Sequence, residues 1–113
     1  MNGFDASTAD RRNNVLTRYV RDSTDYHPKF ADWLLTHWGI YEAFEEAGMK
    51  VQARGLMAYS AFVIVNVLRW RADTQGTRFA MSNTMVPDLA RLYNALHGQL
   101  FKVSTRFANK EQK

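Results

Sequence analysis

From Tyr59 to Phe79 the chain reads YSAFVIVNVLRWRADTQGTRF, and this stretch limits the fold more than any other. After Ser60, placed as a helix N-cap, Phe62, Val63, Ile64, Val65, Val67, Leu68 and Trp70 cover most of a helical wheel. Only Asn66 and Arg69 share a narrow polar sector, with Ser60 and Arg71 on another side. A helix apolar nearly all round predicts a central, buried element, with Trp70 in the core. The β-branched residues Val63, Ile64, Val65 and Val67 also fit a buried strand. The apolar run is far too short to span a bilayer, so no membrane association is expected. The stretch poses one question: does its cationic end, Arg69, Arg71 and Arg78, solubilise a core helix or aim at a ligand?

Helical stripes recur on either side. Val15, Leu16, Tyr19 and Val20 follow the cap-type residues Ser7, Thr8 and Asp10, and this helix should stop before His27-Pro28. Phe30, Trp33, Leu34 and Trp38 make one face of a second helix over 29–38. A third helix follows from Gly39 to Gly55, with Tyr41, Phe44 and Val51 inward and Glu42, Glu45 and Glu46 facing water. ADTQGT reads as a loop. Near the C-terminus, SNTMVPDLARLYNALHG carries a cap at Ser82 or Asn83, Pro87 in the first turns, a Leu89, Leu92, Tyr93, Leu96 stripe and a stop at Gly98. RFAM at 78–81 predicts a short strand. The alternation of QLFKVSTRF predicts a longer one at 100–106. The expected fold is mainly α (α+β): about five helices with a small C-terminal two-stranded β-ribbon, loosely winged-helix-like. Residues 1–113 are read as a single domain, with 1–8 and 107–113 frayed.

The 113 residues include no cysteine, which excludes disulfide scaffolds and thiolate metal sites. The polar opening has no signal-peptide pattern, and a cytoplasmic protein is expected. Charge is uneven. Residues 1–48 hold five basic and eight acidic side chains (net −3), and residues 49–113 hold ten basic and three acidic (net +7). A basic half suggests a polyanionic partner, although it also suits a solvated surface.

Three blocks, HWGIYEAFEEAG, YSAFVIVNVLRW and TRFAMSNTMVPDLARLY, together resemble a group of small, mostly uncharacterised proteins encoded in bacteriophage genomes and prophages. The matching positions are Tyr41 and Phe44; Tyr59, Ser60, Ala61, Arg69 and Trp70; and Phe79, Asn83, Pro87, Ala90, Arg91 and Leu92. The chain departs from the pattern at Trp38-Gly39, where the group tends to show Asn-Pro, and at Ser82-Asn83-Thr84, where it tends to show a run of asparagines. The resemblance implies a phage origin and the bacterial host cytosol. It implies no biochemical activity.

No catalytic constellation stands out. His27, His37 and His97 lack metal-ligand spacing, Gly48 and Gly55 are isolated, and no base, orienting acid and oxyanion donor occur in a recognisable order. A non-enzyme without metal or cofactor is therefore expected. Two readings follow. In the first, the protein binds nucleic acid, with double-stranded DNA the expected form. Arg69, Arg71, Arg78, Asn83, Thr84, Arg91, Lys102 and Arg106 then contact phosphates, Lys102 and Arg106 from one face of the ribbon. Against this, Arg69 could pair with Glu45, and Arg91 with Asp88. In the second, the protein is an interaction module, such as a phage inhibitor of a host or defence protein, with Trp33, Trp38 and Trp70 as anchors wherever they are exposed. Self-association into a homodimer is a milder form of the same idea.

Overall fold

The computed structural model describes residues 6–77, 79 and 81–103. Among these residues five α-helices carry the fold: α1 Ala6–Val15, α2 Phe30–Thr36, α3 Trp38–Ala53, α4 Ala61–Gln75 and α5 Val86–His97. A π-helical turn, Leu16–Val20, extends α1, and a 3-10 turn, Asn83–Met85, leads into α5. Ser82 caps that turn by accepting the Thr84 backbone N–H at 3.1 Å, and Pro87 fits the first turn of α5 because its missing N–H would be unpaired there anyway. α4 runs one turn further than the sequence suggests, through Ala72–Gln75, and closes on Gly76 at φ 72°, a left-handed position that suits a residue without Cβ.

The core forms where the predicted stripes meet. Leu16, Val20, Phe30, Leu34, Tyr41, Phe44, Val65, Leu89, Leu92 and Tyr93 are all buried. α3 packs against α2, α4 and α5, and α4 lies mainly against α3 and α5. Tyr26, Phe30, Trp33 and His37 stack in series beside this core, with centroid separations of 5.3, 6.0 and 4.9 Å. Gly48 faces Tyr93 of α5. A Cβ there would lie 2.9 Å from Cε2 of buried Tyr93 and 3.3 Å from Cζ of Phe101. Tyr93 cannot swing away without losing its 2.7 Å hydrogen bond to Gln52 Oε1. Gly48→Ala should therefore destabilise by about 1–2 kcal/mol despite alanine's better helix propensity. Chemical denaturation would register this as a lower midpoint at unchanged slope.

The C-terminal ribbon and the winged-helix arrangement are overturned: the described residues contain no strand and no sheet. Phe79 and Met81 are irregular, while Arg78, Ala80 and the end of the second expected strand (104–106) lie outside the described residues. The physical reason lies in Asn94. Its Oδ1 accepts the backbone N–H groups of Leu100 (3.0 Å) and Phe101 (3.1 Å), and its Nδ2 donates to the Phe101 carbonyl at 3.0 Å. Tyr59 completes the pairing as an isolated parallel bridge, its N–H donating to the Leu100 carbonyl (2.9 Å) and its carbonyl accepting from Lys102 N (3.1 Å). The backbone of residues 100–102 thus finds partners in a side chain and a loop instead of in a second strand.

Candidate interaction surface

α4 is not the central helix that its composition predicts. Ala61, Ile64, Val65, Leu68 and Ala72 face inward, and among the described residues the main helix neighbours of α4 are α3 and α5. Phe62, Val63, Val67 and Trp70 are exposed, and Trp70 at 65% is the most open of the tryptophans. Val63, Val67 and Trp70 stand at i, i+4 and i+7, so they form one outward stripe. Leu56 and Met57 add exposed apolar side chains in the loop that joins α3 to α4. Trp38 is buried under the Arg11 guanidinium, 5.4 Å from its ring, and Trp33 is half-buried against His37, which leaves Trp70 as the most exposed of the three tryptophans.

Beside the stripe a groove of about 310 Å³ runs between α3 and α4. Ala43, Ala47 and Val51 line it from α3; Tyr59, Val63 and Val67 line it from the α4 side. Glu46 and Lys50 stand on the α3 rim, 3.8 Å apart, and Arg71 stands on the α4 rim. Of the α3 groove residues, the sequence reading covers only Val51, as inward, and Glu46, as facing water, and it assigns neither to a site. Their signal was indirect: in a chain of this size few helices can be enclosed on all sides, so an all-round apolar helix is as apt to present a docking face.

Of the eight residues assigned to phosphate contacts, the six that are described do not gather at one place. Arg69 crosses from α4 to the loop before α5, donating to the Met81 carbonyl (3.2 Å) and Asn83 Oδ1 (2.7 Å), and it also reaches Asn66 Oδ1 at 3.2 Å. It does not meet Glu45, and Asn83 is engaged by it. Thr84 lies exposed in the 3-10 turn. Arg91 pairs with Asp88 at 2.7 Å, the i, i+3 pair anticipated from sequence; Asp88 is wholly buried and also accepts the His27 backbone N–H at 2.7 Å. Lys102 borders a cleft with Ser60, Phe62 and Pro87 at the start of α4, while Arg71 lies near its end, about 15 Å along the axis. Arg78 and Arg106 lie outside the described residues.

Glu45 corrects another expectation. Instead of facing water it is 7% exposed, enclosed by Arg11, His97 and Tyr41. Burial pushes its carboxyl up, but hydrogen bonds from Arg11 and His97, with their charges, more than offset this and hold it below the ordinary value. Among the described residues no group of three or more His, Asp or Glu is placed to hold a metal ion, and no helix is long and apolar enough to cross a membrane. No family model, no curated protein and no solved structure matches this chain.

Proposed function

We propose that this protein is a protein-interaction module that docks through the outward face of α4 and the adjoining α3–α4 groove. The carrying observation is the exposed stripe of Val63, Val67 and Trp70, a large aromatic flanked by aliphatics on a regular helix. Aromatic anchors on a rigid element bury much surface at little entropic cost, and interface energy concentrates on such residues. The resemblance to phage-encoded proteins would make a bacterial host protein a natural class of partner.

Nucleic-acid binding is the second reading. It keeps the basic half of the chain and the exposed cations Arg71 and Lys102, with Arg69 and Arg91 occupied by protein groups. One matched pair of variants separates the two readings. Trp70→Glu should abolish protein association and leave binding to a generic duplex unchanged. Lys102→Ala should do the reverse if phosphates are the target, with duplex affinity falling steeply between 50 and 200 mM salt. Salt-sensitive duplex binding that survives Trp70→Glu, with no protein association at all, would overturn the proposal.

A further inference from the structure

The geometry points to a second copy of this chain as the occupant of the α3–α4 groove, the two copies forming an up-down-up-down four-helix arrangement of α3 and α4 about a two-fold axis parallel to the helices. This rests on the reading of that face as an interaction surface and goes further by naming what covers it.

The argument begins with height along the groove. α3 and α4 are joined by residues 54–60 and share one groove, lined by Val51 and Tyr59 near the joining loop and by Ala43 and Arg71 at the far end. They therefore run antiparallel, with Ala43 level with the second half of α4 and Ala47 level with its middle. A two-fold axis along the helices keeps every residue at its own height and sets α3 of one copy against α4 of the other. This places Trp70, 65% exposed, opposite Ala43 and Ala47 of the second copy, a large side chain against two small ones. Val67 and Val63 continue the contact toward the loops, where exposed Leu56 and Met57 of the two copies come together.

Charge supports the same pairing. Glu46 stands on one rim of the groove and Arg71 on the other. Helical side chains lean toward their own N-termini, so on antiparallel helices these two lean toward a common level. The two-fold then brings each Glu46 to Arg71 of the other copy, making two equivalent pairs at the edge of an apolar seam. Glu46 otherwise meets only Lys50 at 3.8 Å, and the Arg71 guanidinium has no hydrogen-bond or ion-pair partner among the described residues. A second copy supplies both. A foreign helix would need small residues, an acid and a base at the matching positions; this chain already carries them.

The test is sedimentation equilibrium of the full chain over about 1–500 μM, the range in which an interface of modest size becomes populated. The wild type should reach twice the 13.1 kDa chain mass. Trp70→Glu, Glu46→Arg and Arg71→Glu should each weaken association at least about 100-fold, since each sets a desolvated or like charge in the seam. Combining Glu46→Arg with Arg71→Glu should restore it, because the swapped charges again face opposites; folding of each variant is followed by circular dichroism. A monomer throughout the range, or a dimer that none of the variants weakens, overturns the inference. If the chain is monomeric yet binds another protein in a manner lost in Trp70→Glu, the second-copy inference falls while the interaction reading stands. If Trp70→Glu alters no association of any kind, both fall.

Discussion

Phe101→Ala should cost about 3–5 kcal/mol, a large share of the stability of a domain of this size. The ring is completely buried, 5.0 Å from Phe44 and edge-on to Tyr93 at 5.1 Å, so it joins α3 to α5 through a segment outside both. Removing it leaves a cavity walled by side chains that cannot all collapse. Gly48 backs the same space, and Tyr93 is fixed by its bond to Gln52. The backbone of Phe101 keeps its bonds to Asn94 in the variant, so the segment should stay docked while the core loosens. Urea denaturation measures the loss. Adding Asn94→Ala should then show strong coupling, because both changes act on one segment; simple additivity would mean that the Asn94 clasp and the aromatic wedge hold it independently.

That segment also shows where sequence reasoning stopped. Helical stripes were legible because their spacing is local: Phe30 with Leu34, Tyr41 with Phe44, and Leu89 with Leu92 and Tyr93 all turned inward as the period requires. The alternation that suggested a strand at 100–106 failed at its first step. Leu100 and Phe101 are neighbours and both are fully buried, which a surface ribbon with one wet face does not allow. Nothing near Phe101 in sequence marks Asn94 as the group that takes both its N–H and its carbonyl. α4 failed for a related reason. Its wheel gives composition but not the number of neighbouring helices, and with α3 and α5 on one side the remaining apolar residues face outward. Of the candidate site, Trp70 is exposed and not in the core to which the wheel assigns it. The groove rims could not be seen, because Glu46 and Arg71 come to line one groove only once α3 and α4 pack.

Glu45→Ala should destabilise by about 3 kcal/mol, and the same group should make the fold sensitive to acid. The carboxylate joins three elements: Arg11 of α1 donates two hydrogen bonds to it at 2.9 and 2.6 Å, and His97 of α5 lies 2.6 Å away. Tyr41, one turn earlier on α3, donates at 3.4 Å, and its hydroxyl is held protonated by burial first and then by the Glu45 charge. The partners are 34 and 52 residues distant, so no local pattern distinguishes Glu45 from its solvated neighbours Glu42 and Glu46. The expected cost stays at the lower end of the range for breaking buried pairs because the Arg11 side chain is 41% exposed and can regain water. The pH dependence has a definite sign. The folded-state pKa of Glu45 is lowered, so its contribution is fully present above the unfolded carboxyl value near 4.5 and disappears as pH falls through the folded value. Wild-type stability should therefore decline below about pH 4.5 more steeply than that of Glu45→Gln, which cannot be protonated there and starts lower at neutral pH. Parallel thermal melts of the two proteins from pH 7 to pH 3 test this. Converging curves at low pH are the expected result, and curves that stay a constant distance apart would show that the charge of Glu45 does not contribute to holding α1 and α5 against α3.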